Sequence, residues 1–516
     1  MRDGALSPRS QGNRKPGATH TLAALLALAM VPITALSGCS LGDLGGVTTT
    51  SGPGAPLPAV ILTSVTQSPQ GSVGYETLHI EALNPADGSA RWRYQALSNP
   101  LRSHRALAIA NGVIYLTTDD PLPATVTTTT PLTSELTALS ERDGHTLWKV
   151  QFNGLGAEPV VSGGVVYANN ENVNSAQQVV NSFYALDAIT GKQLWRADVT
   201  DIHTSDANLD QGFGTANSIQ IADGVEYVTS NTYCATTCSA QYLLALRTSD
   251  GKQLWKKTVY TSNTIQQPLT FAGSTLYTWV AGAYNAATDT TGPAELLAIN
   301  TSDGATRWET PISVDGPLTV VGGLIYVVAL SQDEPNTPDS TWTSRVVALD
   351  AGSGATRWRY TAATGERNAP AALLAVSANA VYAQSTATVN GATAYRLLNL
   401  DPASGAIRWQ TPLSQALGVA YLDSDTLYAV TNLVEEPNPP PTSLLALSAS
   451  DGHSLWSTRL PAASGNNLIT FLTSDSDALY ATYYTNTLSA ISSQGSHATR
   501  WQVTPPGALV DVTLVA

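Results

Sequence analysis

Short apolar runs separated by glycine-containing turns fill the chain from about residue 58 to its end. One unit places apolar residues at 157–162, 165–167, 182–186 and 193–196, with glycine between the first two runs and between the last two. The runs are rich in β-branched and aromatic residues, and few charged residues interrupt them, which is typical of short strands joined by tight turns. Each unit is therefore predicted to form four β-strands.

The unit recurs, and each copy ends in a tryptophan three or four residues after a turn glycine. Successive tryptophans are 45 to 60 residues apart, with a mean of about 51. A period near 50 residues with four short strands per unit predicts an all-β fold, a β-propeller of four-stranded antiparallel blades. Motif count predicts nine blades, and eight blades with one irregular unit remain the alternative. The tryptophans are Trp92, Trp148, Trp195, Trp255, Trp308, Trp358, Trp409, Trp456 and Trp501.

The first unit is incomplete, and the C-terminus carries a surplus strand. Strands are predicted at 58–66, 76–83 and 90–96, while the chain ends in an unassigned apolar run at 508–515. We expect this C-terminal run to be the missing first strand of the N-terminal blade. Such closure removes the free sheet edges that promote aggregation.

The repeated tryptophan has a predicted structural role. A large flat ring at the outer edge of a blade is suited to packing against the next blade, and we interpret the nine tryptophans as blade-docking residues. A set of stacking platforms for a ligand is the alternative. Asp-Gly pairs such as Asp143-Gly144 supply the positive φ that a tight hairpin needs, and the aspartate is able to cap its own turn.

A longer motif carries a family resemblance. The segment Ala185-x-Asp187-x-x-Thr190-Gly191-Lys192-x-x-Trp195 resembles the docking motif of the pyrroloquinoline-quinone (PQQ) repeat propellers, and degenerate copies occupy 348–358 and 399–409. The resemblance implies a propeller over residues 58–516. It implies less about chemistry, because the repeat occurs both in quinoprotein dehydrogenases and in scaffold lipoproteins such as BamB.

The N-terminus is predicted to be an export signal. Arg14 and Lys15 precede an apolar run at 22–36, which ends in Leu36-Ser-Gly-Cys39. These are the parts of a secretory signal, and the last four residues resemble the lipobox of bacterial lipoproteins. We therefore expect a signal peptide at 1–38, lipidation of Cys39 and a flexible tether at 39–57. An ordinary cleaved signal, or a spanning helix that ends in cysteine, is the alternative.

The charge distribution limits the class of partner. The formal net charge is −14, and the first 38 residues carry +3, so the remainder carries −17. An acidic exterior of this size disfavours nucleic acid, whose backbone is itself negative. We expect a monomeric, extracytoplasmic protein of the bacterial cell envelope, held to a membrane by its lipid.

Two local clusters are candidate sites. Cys234 and Cys238 are predicted to form a local disulfide, since outside the cytoplasm a disulfide is the usual state and further metal-binding residues are missing nearby. A polar segment is a candidate cation loop, although it lacks the closing glutamate of a calcium loop and a solvated loop is the simpler interpretation. Its candidate ligands are Asp201, His203, Asp206, Asn208 and Asp210.

The sequence favours a binding scaffold over an enzyme. Quinoprotein dehydrogenases typically use adjacent cysteines and a Ca²⁺ held by Glu, Asn and Asp, but here no two cysteines are adjacent, and haem, hydrolase and phosphate-loop motifs are also missing. We therefore predict no catalytic residue, no metal and no cofactor, with envelope or extracellular proteins as partners. The alternatives are a PQQ- and Ca²⁺-dependent oxidoreductase and a polysaccharide or small-ligand binding module. Long connections between second and third strands, for example at 169–181 and 385–393, indicate a binding face.

Overall fold

The structure is a nine-bladed β-propeller. It is a computed structural model that describes residues 58–67, 76–98, 107–120, 133–156, 158–173, 179–200, 218–229, 241–260, 269–280, 284–285, 290–291, 294–332, 342–360, 371–389, 392–431, 443–460, 469–483 and 487–515. Every regular element in these ranges is a β-strand. The strands form nine antiparallel blades that follow one another around a ring. The prediction of nine blades is confirmed.

The strands of each blade succeed one another from the centre of the ring to its outer edge, and in blade 1 the C-terminal strand is innermost. Blade 1 consists of β1 (Ala59–Gln67), β2 (Glu76–Leu83), β3 (Ala90–Ser98) and the C-terminal β39 (Ala508–Val515). Blade 2 consists of β4 (Ala108–Ala110), β5 (Val113–Asp119), β6 (Thr133–Ser140) and β7 (Thr146–Asn153). Blade 3 consists of β8 (Leu155–Gly156) and β9 (Val160–Ser162), which share the first position, and β10 (Val165–Val173), β11 (Val179–Asp187) and β12 (Gln193–Thr200).

The next three blades repeat this order, and blade 5 carries an added hairpin. Blade 4 consists of β13 (Ser218–Ala222), β14 (Val225–Thr229), β15 (Gln241–Arg247) and β16 (Gln253–Tyr260). Blade 5 consists of β17 (Thr270–Ala272), β18 (Thr275–Val280), the hairpin β19 (Tyr284–Asn285) and β20 (Thr290–Thr291), β21 (Glu295–Asn300) and β22 (Thr306–Pro311). Blade 6 consists of β23 (Ser313–Val321), β24 (Leu324–Gln332), β25 (Trp342–Asp350) and β26 (Thr356–Arg359).

The last three blades complete the ring. Blade 7 consists of β27 (Ala371–Val376), β28 (Val381–Val389), β29 (Ala392–Leu400) and β30 (Ile407–Leu413). Blade 8 consists of β31 (Leu417–Asp423), β32 (Thr426–Thr431), β33 (Ser443–Ser448) and β34 (Ser454–Arg459). Blade 9 consists of β35 (Ile469–Ser474), β36 (Ala478–Tyr483), β37 (Thr487–Ser492) and β38 (Thr499–Val503).

The hydrophobic pattern of each strand follows its position in the blade. Strand β5 of blade 2 is a second strand and is buried along its whole length, whereas β7, the fourth strand, alternates between exposed and half-buried residues. A strand that is covered on both faces has a continuous apolar sequence. An outer strand with one solvent-exposed face has alternating apolar and polar residues. The core therefore lies between blades, where the second and third strands of neighbours face each other.

Nine hydrophobic clusters fill the nine interfaces between blades, one cluster to each interface. Between blades 9 and 1, for example, Val60 and Leu62 pack with Tyr480 and Trp501. No single central core exists among the described residues, since each cluster joins two neighbours. Burial of apolar side chains therefore stabilises the ring through consecutive pairwise contacts.

The C-terminal strand closes the ring, as predicted. Strand β39 pairs antiparallel with β1 from Ala59 opposite Val515 to Val65 opposite Ala508, with one register shift after Thr63. Val512 of this strand is buried in the cluster shared with blade 9. The two chain ends are thus held in one sheet, and the first blade has its full set of four strands.

Two segments that we predicted as long connections are instead largely paired. Strands β10 and β11 stay in register up to Val173 opposite Val179, and β28 and β29 up to Val389 opposite Ala392. Residues 169–172 are polar at four consecutive positions, and the backbone ladder nevertheless continues because it uses main-chain groups. The residues between Val389 and Ala392 are Asn-Gly, a favoured pair for a two-residue hairpin, and this signal was missed.

The turn between third and fourth strands packs against the tryptophan of the preceding blade. In eight blades the turn glycine lies four residues before the tryptophan of its own blade and has a positive φ. An ideal Cβ on Gly191 would lie 2.7 Å from Cδ2 of Trp148, and the other seven glycines also face an indole at comparably short distances. Glycine is therefore required for two reasons: the backbone has a positive φ, and the indole ring occupies the space that a Cβ would need.

The ninth turn departs from this pattern. His497 has a φ of 50° at the position where the other turns carry glycine, and an ideal Cβ on Gly495 would have no atom within 4 Å. The imidazole of His497 stacks on Trp456 of blade 8, with ring centroids 4.1 Å apart and planes inclined by 9°. Our expectation that all nine turns place glycine three or four residues before the tryptophan is wrong for this turn.

The two constraints on the turn glycine are separable by mutation. Gly191→Ala should lower the free energy of unfolding by about 3 kcal/mol or more, because it adds both a left-handed alanine and a steric clash with Trp148. Gly163→Ala is the matched control, since Gly163 has a φ of 57° and open space around it. Gly163→Ala should lower the free energy of unfolding by only about 1 kcal/mol. Equal losses in urea unfolding would show that indole packing adds nothing to the conformational constraint.

Candidate functional site

The two faces of the ring differ in how their strands are connected. First-to-second and third-to-fourth connections leave on one face, which we call the turn face; the structure describes each of them, and they have two to six residues. Second-to-third connections and those between blades leave on the opposite face, which we call the connection face. Segments there reach 17 residues, at 201–217. The sequence therefore places its insertions on one face.

Several predicted site residues lie outside the described residues. These are the lipidation residue Cys39, the cysteines Cys234 and Cys238, and the candidate cation ligands Asp201, His203, Asp206, Asn208 and Asp210. They stay predictions. In the described ranges, no three His, Cys, Asp or Glu residues are grouped as a metal site would require. The same ranges contain no helix with the length and hydrophobicity needed to cross a bilayer.

The structure places all nine tryptophans at interfaces between blades, where most donate a hydrogen bond to the next blade. The acceptor is a carbonyl oxygen in the neighbour's third-to-fourth turn; for example, Trp195 Nε1 donates to Thr248 O at 2.7 Å. In eight blades a second-strand tyrosine packs beside the indole, as Tyr115 does with Trp148. Tyr115 and Trp148 both donate to Ala188 O. These shared acceptors tie the turns of one blade to the preceding blade.

Blade 7 breaks this arrangement at one residue. Asn399 replaces the alanine that pairs with the tryptophan in every other blade, and its Nδ2 donates to Ala449 O at 3.3 Å. The hydroxyl of Tyr382 donates to the same oxygen at 2.9 Å. The Nε1 of Trp409 is consequently buried without a hydrogen-bond partner among the described residues. An unpaired buried donor costs about 1–3 kcal/mol.

A buried carboxyl group lies between blades 3 and 4. Glu226 of β14 is 0% exposed, and neither carboxyl oxygen has a hydrogen-bond partner within the described residues. Val228, two residues further and on the same strand face, packs with Tyr167 of blade 3. In the other blades this position is apolar and fully buried. The equivalents are Val60, Ile114, Val166, Leu276, Ile325, Val381, Leu427 and Leu479.

Burial alone raises the pKa of Glu226 to about 8, because the charged form loses its hydration. Burial is the main cause that raises the pKa of the Tyr167 phenol, and the charge of Glu226 adds to it. The folded state therefore holds a proton on Glu226 that the unfolded chain releases near pH 4.5. A pKa raised on folding makes the protein more stable at low pH and less stable as pH rises.

This linkage predicts the pH dependence of stability. From about pH 4.5 to about pH 8, Glu226 should lower the free energy of unfolding by about 1.4 kcal/mol per pH unit as pH rises. Glu226→Gln should reduce this slope, because glutamine has no proton to lose. Glu309→Gln, at an exposed glutamate of blade 5, is the control and should leave the slope unchanged. The measurement is urea unfolding at pH 5, 6, 7 and 8, and an unchanged slope in Glu226→Gln would contradict the assignment.

A cavity opens between blades 5 and 6 on the connection-face side, with a volume of about 230 Å³. Blade 5 contributes Ala294, Pro311 and Ile312, and blade 6 contributes apolar side chains and two arginines. The arginines are Arg345 and Arg359. The described lining residues include no acidic side chain. Sequence reasoning missed this cavity, since its arginines are 14 residues apart and come together only through strand pairing.

The described residues do not fit a PQQ and Ca²⁺ site. Such a site needs carboxylates grouped with an amide, and no three His, Cys, Asp or Glu residues are grouped in the described ranges. The sequence also lacks adjacent cysteines. We therefore derive no catalytic step that uses the quinone.

Comparison with known families identifies the repeat. The family model described as outer membrane protein assembly factor BamB matches residues 132–283 and 242–421, which together cover more than half of the chain. The chain belongs to this family of PQQ-like repeat propellers. The predicted resemblance is confirmed. No curated protein matches the chain.

Solved structures with similar folds share little sequence with the chain. Quinohemoprotein alcohol dehydrogenase ADHIIG from Pseudomonas putida HK5 is 13% identical over 74% of this chain and 69% of its own, with a TM-score of 0.38. The quinohemoprotein alcohol dehydrogenase from Comamonas testosteroni is 11% identical over 76% and 71%, with a TM-score of 0.39. Apo AztD from Citrobacter koseri is 11% identical over 74% and 94%, with a TM-score of 0.41. No functional argument rests on similarities this distant.

Proposed function

We propose that the protein is an exported, lipid-anchored and non-catalytic scaffold that binds protein partners of the cell envelope on its connection face. The observation that carries this proposal is the difference between the two faces. On the turn face, short turns are fixed by capping aspartates and by the tryptophans of neighbouring blades. For example, Asp187 Oδ1 accepts hydrogen bonds from the backbone nitrogens of Ile189 and Thr190.

The connection face differs in the length and composition of its segments. The chain places its longest segments there, rich in Thr, Asn and Pro, and the rigid ring holds their ends at regular spacing. Loops held on a rigid scaffold are the usual location of binding residues. The description of the family as an assembly factor of outer membrane proteins supports the same role.

Site-specific photo-crosslinking tests the binding face. A photo-reactive residue placed at Ser414 or Thr504, which lie in described connections on the connection face, should give discrete covalent adducts in intact cells. The same residue at Lys192 or Ser302 on the turn face is the control, and it is matched because all four positions are exposed. It should give no protein adducts, because the proposal places the partner on the connection face. Adducts of equal yield on both faces, or saturable PQQ and Ca²⁺ binding with dye reduction, would contradict the proposal.

A second prediction concerns the anchor. Cys39→Ser should move the full-length protein from the membrane fraction to the soluble extracytoplasmic fraction, because the only proposed attachment is the lipid on that sulfur. Cys234→Ser is the control and should leave the protein in the membrane fraction. Retention of the Cys39→Ser protein in membranes after a high-salt wash would refute lipid anchoring.

A further inference from the structure

All lysines that follow the predicted signal peptide lie in three consecutive blades. Residues 39–516 contain five lysines, and each lies in the third-to-fourth turn or on the fourth strand of blade 2, 3 or 4. The basic residues of the other six blades are arginines and histidines. The lysines therefore share one part of the outer rim of the ring. They are Lys149, Lys192, Lys252, Lys256 and Lys257.

Large apolar side chains are exposed on the same part of the rim. The residue directly before the tryptophan is leucine in blades 2, 3 and 4, and these leucines are 37%, 54% and 38% exposed. Ile189, in the third-to-fourth turn of blade 3, is 84% exposed. Basic and apolar side chains are therefore interspersed on one surface, which we call the basic–apolar arc. It consists of the five lysines together with Leu147, Ile189, Leu194 and Leu254.

The other blades differ at the leucine position. Blades 1, 5, 6, 7 and 9 have arginine there. In blades 6 and 7 this arginine pairs with an aspartate of its own blade, Arg357 with Asp350 at 2.5 Å and Arg408 with Asp401 at 2.7 Å. Blade 8 has Leu455, which is 46% exposed, but this blade contains no lysine. Exposed leucine and lysine therefore occur together only in blades 2–4.

Most of the lysines keep an uncompensated positive charge. Lys149 pairs with Glu135 at 2.6 Å. Within the described residues, no ion pair involves any of the other four lysines. Lys256 lies over the ring of Tyr242, and Lys257 donates to a threonine hydroxyl of blade 5, but neither contact neutralises the ammonium group. These charges are therefore available to a negative surface.

The N-terminal strand of the ring begins beside this arc. Second strands run from the turn face to the connection face, so β1 begins with Ala59 at the turn face of blade 1. Blade 1 packs directly against blade 2. The predicted tether at 39–57 has 19 residues, and a flexible chain of that length has a root-mean-square span of about 25 Å. A lipid on Cys39 would therefore keep the turn face of blades 1 and 2 close to a bilayer.

We propose that the basic–apolar arc lies against the surface of an anionic phospholipid bilayer and orients the propeller with its connection face away from the membrane. The inference rests on the proposed lipid anchor. Lysines are attracted to anionic headgroups, and leucine side chains enter the boundary between headgroups and acyl chains. Residues 39–516 carry a net charge of −17, so an anionic surface repels most of the exterior and attracts this arc. The tether places a bilayer, in preference to an acidic protein, next to the arc.

Photo-crosslinking to lipid tests the contact. The full-length lipidated protein carries a photo-reactive residue at Leu194 and is irradiated in vesicles of phosphatidylglycerol and phosphatidylethanolamine that contain an alkyne-labelled phospholipid. The alkyne reports lipid adducts separately from protein adducts. Leu455 is the matched control position, since both leucines precede a blade tryptophan and are 54% and 46% exposed. We expect at least about tenfold more lipid adducts at Leu194. Equal yields, or protein adducts in place of lipid adducts at Leu194 in intact cells, would overturn the proposal.

A pair of charge variants tests the role of the lysines. Lys192→Gln combined with Lys252→Gln should lower the lipid adducts at Leu194 at least about tenfold, because each lysine near an anionic surface strengthens binding about fivefold. Arg459→Gln combined with Arg500→Gln removes the same charge from blades 8 and 9 and should leave the yield unchanged. Equal losses in the two variants would assign the effect to overall charge and overturn the proposal.

The outcomes for the arc and for the scaffold function are separable. A protein that Cys39→Ser releases from the membrane fraction, but that gives no excess of lipid adducts at Leu194, would refute the arc and leave the anchored scaffold. Excess lipid adducts at Leu194, together with no protein adducts at Ser414 or Thr504, would support the arc and refute the scaffold function.

Discussion

The contact between the indole ring of one blade and the turn glycine of the next is the constraint on which the ring depends. The ring of Trp148 lies where a Cβ of Gly191 would be, so no other residue fits at that turn without displacement. The indole nitrogen also donates to a carbonyl of that turn. Packing and hydrogen bonding thus set the same spacing between blades. The contact recurs at eight of the nine interfaces.

Departures from the repeat show how much this constraint tolerates. His497 replaces the turn glycine but restores contact by stacking on Trp456. Asn399 takes the acceptor of Trp409 and leaves the indole nitrogen without a partner among the described residues. Glu226 places a carboxyl group where all other blades are aliphatic. The unpaired indole nitrogen and the buried carboxyl group each cost stability locally, and the neighbouring apolar clusters keep the ring intact.

Much of the fold could be predicted from the sequence, because the decisive contacts involve residues at constant spacing. The tryptophan-to-glycine offset marks eight of the nine blades, and the surplus run at 508–515 indicates the closing strand. The extent of strand pairing and the contacts between side chains of different strands could not be predicted in this way. The pairing of Asn169–Val173 with Val179–Phe183 depends on backbone hydrogen bonds that polar side chains do not reveal. The cavity between blades 5 and 6 likewise depends on strand pairing and on contact between two blades.

Repetition itself explains why binding chemistry is expected where the pattern fails. A residue type shared by all blades serves the contact that all blades make, as the tryptophans do. A basic residue matched by Glu135 in blade 2 or by Tyr242 in blade 4 is likewise satisfied within its own blade. In blade 6 the same position holds Arg345, so this blade does not repeat the ion pair of blade 2. The fold does not require this change, since blades with the matched pair close equally well.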